Sequence, residues 1–256
     1  MFPFSSRFAG LSLLAAVALS AAACQRGSYV ARPALQPATT QPVGPALPDD
    51  PATVALLAPY RQRVNEQMRA VIGTAPVALL KNPGESPLAN FVADLQRSRA
   101  SRALGQPVAL GVMTNGGLRA PLPAGPVTLG AVFELMPFEN ELVVLDAPAA
   151  VVQQLFEFGA RVKMAFSGAT YAVGPAGQPT DIRIGGQPFD PAADRRYLVA
   201  ISDYLAGGGD QMTFLKALKP RSTGVLLRTA IADHIRELTA AGQPVEARVE
   251  NRVRTN

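Results

Sequence analysis

The sequence contains very few of the residues that form disulfides and catalytic metal sites. Among its 256 residues there is one cysteine, Cys24, and one histidine, His234. A single cysteine excludes a disulfide within the chain and a thiolate metal site, so the folded part must be stabilised by its core alone. A single histidine excludes a His/Asp catalytic metal centre and a His-based triad. We therefore expect His234 to be structural and the chain to hold no metal or other cofactor of its own.

Two common phosphate-binding motifs are also missing. The glycine clusters do not have the spacing of a Walker-type loop or of a dinucleotide fingerprint, and none is followed by Lys-Ser or Lys-Thr. The net charge is only +5 at pH 7, and the basic residues are spread along the chain without a run. This distribution argues against a nucleic-acid partner but leaves room for a few arginines aimed at one small anion. Carboxylates paired in space stay open at this level.

The N-terminal segment has the pattern of an export signal. Arg7 precedes an apolar run at 9–23 that is short for a bilayer span, and small residues lead up to Cys24. The pattern resembles a bacterial lipoprotein signal, in which Cys24 would become the lipidated first residue of the mature chain. A plain secretory signal with an incidental cysteine is the alternative. We expect a signal peptide at 1–23 and a lipid anchor in the bacterial cell envelope, at the outer membrane or the periplasmic face.

A proline-rich stretch follows the cysteine. Five prolines lie between Pro33 and Pro48 among Ala, Thr, Gln and Gly, a composition that cannot build a core. We interpret 24–49 as a tether that lifts the rest of the protein off the membrane surface. Residues 50–256 then form one domain, which is an ordinary length for a single core.

Apolar spacing and turn residues predict a mixture of helices and strands in this domain. Asp50-Pro51 and Ser86-Pro87 each begin a helix, with a polar N-cap and proline at the first helical position. The first helix has its apolar face from Val54 to Val71 and ends at Gly73. Further helices are predicted at 128–135, 148–158 and 225–240, and strands at 75–80, 108–113, 141–146, 171–173, 181–184 and 197–202, with a Gly185-Gly186 turn after the fifth of these strands. Because strands and helices do not alternate strictly, we predict an α+β fold with a mixed β-sheet and flanking helices.

Three loops have the composition of ligand-binding segments. The turn after the 108–113 strand would let its backbone approach a ligand at Gly117 and would present Arg119 as a permanently charged donor. The loop at 137–140 places the Phe138 ring and the Asn140 amide at a helix end. The loop at 203–210 places a second ring and a carboxylate on a glycine-rich turn. Each loop taken alone is better explained by ordinary turn and core requirements.

The ordered series of these motifs is more specific than any one of them. It resembles the C-terminal domain of the 5'-nucleotidase / UDP-sugar hydrolase family over about 54–253. The motifs are Asn90-Phe-Val-Ala-Asp94, Asn115-Gly-Gly-Leu-Arg119, Pro137-Phe-Glu-Asn140 and Asp203-Tyr-Leu-Ala-Gly-Gly-Gly-Asp210.

The resemblance implies roles in substrate binding for residues of the last three motifs and for Arg102. A nucleobase would be sandwiched between the rings of Phe138 and Tyr204, and Asp210 would hold the ribose hydroxyls. Arg119 and Arg102 would lie near the ribose and phosphate. The substrate-binding set implied in this way is Arg102, Asn115, Gly117, Arg119, Phe138, Asn140, Tyr204 and Asp210.

The chain departs from the family pattern at two places. Many members have asparagine one position earlier in the glycine turn, where Thr114 stands, which shifts the amide of Asn115 relative to the base. After Asp210 the family commonly has glycine and an aromatic residue, whereas this chain has Gln211 and Met212.

In that family a preceding metallophosphoesterase domain binds two metals and performs the hydrolysis, while this domain recognises the substrate. We therefore expect a nucleotide-recognition domain that works in nucleotide catabolism with a separately encoded metallophosphoesterase, which alone would carry divalent metals. A stand-alone nucleotide- or nucleoside-binding envelope lipoprotein is the alternative. A third hypothesis is that the protein has kept the fold but lost the ligand, and serves as an interaction module in the envelope.

Overall fold

The computed structural model describes Gly44 and residues 47–255. The signal peptide, Cys24 and most of the tether lie outside these residues. A compact unit begins at Pro51. Within the described residues, no helix is both long enough and apolar enough to cross a bilayer.

The elements of this unit follow one another in a mixed order. The helices are α1 (Pro51–Met68), α2 (Pro87–Leu104), α3 (Leu129–Leu135), α4 (Ala149–Val162), α5 (Asp203–Ala206) and α6 (Leu227–Ala240). The strands are β1 (Val71–Ala75), β2 (Leu110–Val112), β3 (Gly125–Thr128), β4 (Glu141–Pro148), β5 (Phe166–Ser167), β6 (Ala169–Val173), β7 (Pro179–Ile184), β8 (Gln187–Pro188), β9 (Arg196–Ser202), β10 (Arg221–Leu226) and β11 (Val253–Thr255).

A mixed five-stranded sheet forms the centre of the unit. Its strand order is β10-β4-β9-β2-β5, in which β2 and β9 run parallel and the other neighbours run antiparallel. A four-stranded sheet, β11-β6-β7-β8, and a two-stranded pair, β1-β3, lie beside it. The predicted mixed sheet with flanking helices is confirmed.

The central sheet separates two apolar cores. Along β4, Leu142 and Val144 join the core that includes residues of α2 and α6, whereas Val143 and Leu145 join the core that includes residues of α4. Successive side chains of a strand point to opposite faces, so one strand serves both cores. The result is three layers, with helices on each side of the sheet.

Helix α2 begins where the sequence predicts. The Ser86 hydroxyl accepts from the Ala89 N–H at 3.2 Å, Pro87 occupies the first turn, and Gly105 ends the helix in the left-handed conformation. The helix lies close to β2, because a Cβ on Gly111 would be 2.3 Å from the Ala93 carbonyl oxygen. Glycine at this position therefore sets the distance between helix and sheet.

The prediction for the first helix is wrong about where the helix ends and about the burial of its apolar face. Helix α1 stops at Met68, and Val71–Ala75 is strand β1, paired with β3. Ile72 and Ala75 are buried while Val71 is exposed, so the apolar residues taken for the last helical turn belong to a strand. The strand predicted at 75–80 is correspondingly displaced, and none of the residues of α1 is buried.

The last helix also begins later than predicted. Residues 221–226 form the edge strand β10, and the helix starts at Leu227. The Gly185-Gly186 turn is confirmed, since both glycines have positive φ, 58° and 78°. It joins β7 to the short strand β8.

Candidate functional site

A cleft of about 330 Å³ opens at the end of the central sheet where strands β2 and β9 terminate. Three segments meet there because β2 and β9 run parallel and stop at this end of the sheet, while the antiparallel β4 begins at it. The lining residues include Thr114, Gly117, Arg119, Met136, Phe138, Asn140, Ser202, Tyr204 and Asp210. Open α/β sheets commonly bind ligands beyond the carboxyl ends of their strands.

Two aromatic rings are exposed in this cleft. Phe138 comes from the loop between α3 and β4 and Tyr204 from α5, and they are 41% and 55% exposed. Both rings also line a shallower outer surface together with Glu139, Asn140 and Asp203. Large apolar rings left open to solvent in one concavity are available for stacking on a flat ligand.

Arg119 belongs to the same cleft as Phe138. Its guanidinium carbon is 5.8 Å from the Phe138 ring centroid, and its side chain is otherwise exposed. The Arg119 N–H donates to the Leu135 carbonyl at 2.8 Å, which ties the glycine turn to the end of α3. The Arg119 guanidinium group, a cationic hydrogen-bond donor, therefore lies beside the Phe138 ring.

The Tyr204 ring is fixed by the loop that follows it. Its hydroxyl donates to Asp210 Oδ1 at 3.2 Å and accepts from the Asp210 N–H at 3.3 Å. A Cβ on Gly209 would be 2.4 Å from Cε1 of the ring, so the ring lies directly on the glycine backbone. Glycine is required at this position.

Gln211 and Met212, the two departures from the family pattern after Asp210, differ in backbone conformation and burial. Asp210 and Gln211 adopt positive φ values of 50° and 68°, which is the region where the resemblance expects glycine at 211. A side chain in this region costs roughly 1–3 kcal/mol and is retained only where surrounding structure enforces it. Met212 is fully buried and fills core space where the family has an aromatic residue.

The glycine turn is held from outside the cleft by the segment before α2. Lys81 Nζ donates to the carbonyls of Asn115 and Leu118 at 3.1 and 2.6 Å. Asn115 Nδ2 donates to the carbonyls of Asn82 and Gly84 at 2.8 and 3.2 Å. These four hydrogen bonds fix the turn from the side of the segment before α2.

The structure accordingly places Asn115 beside the cleft and not in its lining. Its amide nitrogen is engaged with the backbone, and its side chain borders a neighbouring cavity. Thr114 lines the cleft in its place and is buried. Gly116 has its own role, since a Cβ there would be 3.3 Å from Asp210 Oδ2.

The structure does not bring Arg102 to the cleft. Both of its terminal nitrogens donate to Glu237 Oε2 at 3.2 Å, on the far part of α6. Leu227, at the start of the same helix, lines the cleft, and ten residues of helix separate the two positions by about 15 Å. Of the two guanidinium groups predicted to lie near one phosphate, only that of Arg119 lines the cleft.

Arg228 is a residue of this region that the sequence did not single out. It lies in the first turn of α6 and contacts the backbone of the loop that carries Phe138. A lone arginine at a helix start gives no signal of such a contact, because its partners precede it by about 90 residues. Only the packing of α6 against this loop shows it.

Two groups with shifted pKa values, Glu141 and His234, are not among the residues that line the cleft. The Ser222 hydroxyl donates to Glu141 and, with the Gly224 N–H, lowers the pKa of that carboxyl, which fixes β10 against β4. Burial lowers the pKa of His234, whose ring packs 5.5 Å from that of Phe91 between α2 and α6. Across 47–255, no group of three or more His, Cys, Asp or Glu side chains is arranged to hold a metal ion.

Comparison with solved structures supports the fold. A 5'-nucleotidase precursor from Thermus thermophilus is 31% identical with a TM-score of 0.68, covering 80% of this chain and 43% of that one. The NAD nucleotidase NadN of Haemophilus influenzae shares the fold at 20% identity and a TM-score of 0.56, over 81% of this chain and 41% of that one.

Curated sequences give the same relationship. The silent protein UshA(0) of Salmonella typhimurium is 30% identical over 179 residues, which is 65% of this chain and 30% of that protein. The trifunctional nucleotide phosphoesterase protein YfkN of Bacillus subtilis is 28% identical over 185 residues, or 66% of this chain and 12% of that protein. The chain thus spans less than a third of the length of these two relatives.

The family match falls on the segments that build the cleft. The model of the 5'-nucleotidase C-terminal domain matches residues 71–217, more than half of the chain, and this range contains the glycine turn and both ring-bearing loops. The chain therefore belongs to the 5'-nucleotidase C-terminal domain family.

Proposed function

We propose that this protein is the nucleotide-recognition component of a 5'-nucleotidase-type hydrolase system. The observation that carries the proposal is the meeting of Phe138 and Tyr204 in one cleft with Arg119 and Asp210. Relatives whose names include nucleotidase or nucleotide phosphoesterase support the choice of ligand class.

The chemistry of the lining suits a nucleoside with an anionic group. A base between two rings gains roughly 1–3 kcal/mol per stacking contact, with little dependence on which base it is. The Asp210 carboxylate can accept from ribose hydroxyls while it also accepts from Tyr204. Arg119 can donate two parallel hydrogen bonds to a phosphate. Gly117 and Asn140 complete the binding set as backbone and amide contacts, and Asn115 supports the turn.

The hydrolytic step is assigned to a second protein. Within 47–255, no group of three or more His, Cys, Asp or Glu side chains is arranged to hold a metal ion. We propose that a separate metallophosphoesterase supplies the divalent metals and that this chain, anchored to the envelope through Cys24, presents the nucleotide to it.

Two assays on the full chain test the proposal. A melting-temperature screen against nucleosides and nucleotides should show stabilisation, because a ligand that binds only the native state raises the melting temperature. Phosphate release from AMP should be absent with the chain and divalent metals alone, and should appear when the partner is added. Hydrolysis at enzymatic rates by the chain alone contradicts the split, and ligand binding without any activating partner supports the stand-alone binding lipoprotein instead.

A further inference from the structure

The loop that carries Phe138 is held by the first turn of α6. Arg228 Nη1 donates to the carbonyls of Pro137 and Phe138 at 3.1 and 3.4 Å, and Nη2 donates to Glu139 Oε1 at 2.9 Å. In addition, the Leu227 N–H donates to the Asn140 carbonyl at 2.9 Å. Three of these four bonds come from one guanidinium group, so the loop conformation depends on that side chain.

The guanidinium group is itself fixed. Its carbon lies 4.3 Å from the centroid of the Phe133 ring on α3, and the Arg228 side chain is only 12% exposed. Glu139, its ionic partner, is 78% exposed, so the ion pair is largely solvated and contributes little by itself. The two backbone carbonyls therefore carry most of the constraint, and they belong to Phe138, whose ring enters the cleft, and to the residue before it.

We propose that Arg228 is the positioning residue for the Phe138 ring in nucleotide binding. This inference rests on the proposed function. Arg228 is not among the residues that line the cleft, and both of its terminal nitrogens donate to the loop. It acts through Phe138 and does not contact the ligand.

A double-mutant cycle separates this role from direct contact. Affinity for AMP is measured by equilibrium dialysis on the wild-type chain, R228K, F138A and the double variant. Lysine keeps the charge but cannot reach both carbonyls and the ring together. R228K should weaken binding by about tenfold in the wild-type background, because charge-assisted hydrogen bonds to the loop are lost. In the F138A background, the same substitution should change affinity by less than about twofold, since coupled effects are not additive.

Two control variants sharpen the cycle. R236K lies on the same helix and alters an exposed pair with Asp233, so it should leave AMP affinity unchanged. E139Q removes the ionic partner but keeps the carbonyl contacts, so it should weaken binding less than R228K does. An equal loss for R228K in both backgrounds, or no loss in either, overturns the proposal.

A second measurement needs no ligand. With fluorinated phenylalanine incorporated, the Phe138 fluorine resonance can be assigned through its absence in F138L. R228K should shift or broaden that resonance, while R236K should not. An unchanged resonance overturns the proposal even if AMP binds. If wild-type protein does not bind AMP, the proposed function fails, and the fluorine resonance still decides whether Arg228 holds the ring.

Discussion

At the residue scale, Asp210 combines three structural roles. It adopts a positive φ of 50°, accepts a hydrogen bond from Tyr204, and lies against the backbone of Gly116. Aspartate and asparagine are the non-glycine residues that best tolerate this backbone region. The position therefore allows a charge to be removed without changing the backbone.

We predict that Asp210→Asn weakens the binding of adenosine by about 1.5–3 kcal/mol, the usual value of a hydrogen bond to a charged group. Binding of 2',3'-dideoxyadenosine should change little, because that compound lacks the hydroxyls that the carboxylate would hold. Calorimetric titration of both compounds measures the difference. Equal losses for the two compounds would show that Asp210 does not contact the ribose.

Six of the eight residues predicted to bind substrate line the cleft, but the motifs do not predict how every side chain pairs. Phe138, Tyr204, Arg119 and Asp210 lie on loops whose chain positions the motifs fix, and the topology brings those loops to one end of the sheet. Arg102 lies on a long helix, and its pairing with Glu237, 135 residues later, depends on how α2 packs against α6. Spacing along the chain contains no information about that packing. The roles of these residues in binding stay predictions.

At the scale of elements, the contact between α2 and β2 is among the closest in the unit. A side chain at Gly111 would meet the Ala93 carbonyl, the Arg97 side chain and the Ser167 side chain at 2.3 to 3.0 Å. The nearest of these atoms belongs to the helix backbone, which cannot rotate away. Helix and strand would have to move apart.

Gly111→Ala should therefore lower the free energy of unfolding by roughly 1–3 kcal/mol, the usual cost of overpacking a core. Urea denaturation followed by circular dichroism measures this change. AMP affinity at a temperature where the variant is folded should be nearly that of the wild-type chain. Unchanged stability would show that α2 does not lie as close to β2 as described.

The packing of α2 against α6 should make stability depend on pH. Burial lowers the pKa of His234, against the opposing charge of Glu237 and with the help of Arg99 and Arg102. The unfolded chain then binds more protons than the folded chain just below the unfolded pKa of about 6.5, so the free energy of unfolding falls as the pH decreases through that value. Above a pH of about 6.5, the contribution of neutral, buried His234 to the free energy of unfolding is fully present.

In His234→Gln this part of the pH dependence should disappear. Melting temperatures between about pH 7.5 and about pH 5.5 report on it, because the lowered pKa of Glu237 acts only at more acidic pH. If the variant and the wild-type chain lose the same stability over this interval, His234 is not the group responsible.

Element assignments from the sequence failed where apolar residues fit two periodicities. Val71 continues the helical spacing of α1, yet Val71–Ala75 pairs with β3, with a register shift between Val71 and Gly73 that interrupts the alternation of exposed and buried residues. The short strands β3, β5, β8, β10 and β11 were not predicted, because two to six residues carry too little pattern. The starts of the two helices with proline and a polar residue before it were predicted well, since those signals are local.

At the scale of the whole molecule, the composition and motif order were sufficient to predict the fold class and the family. The order of the elements was informative because a mixed order of strands and helices excludes a doubly wound sheet.

Attachment to the envelope stays a prediction that depends on Cys24, outside the described residues. Cys24→Ser should move the protein from the membrane to the soluble fraction and should abolish incorporation of labelled fatty acid. Retention of the label by the variant would contradict the lipoprotein assignment.

The proposed function requires that a nucleobase binds between the rings of Phe138 and Tyr204 in one cleft. Calorimetric titration of the full chain with AMP tests it most directly, comparing the wild-type chain with Phe138→Ala and with Tyr60→Ala, whose ring is exposed on α1. We expect measurable binding by the wild-type chain, the same affinity for Tyr60→Ala, and a loss of roughly 1–3 kcal/mol for Phe138→Ala. Equal affinity of Phe138→Ala and the wild-type chain would contradict it.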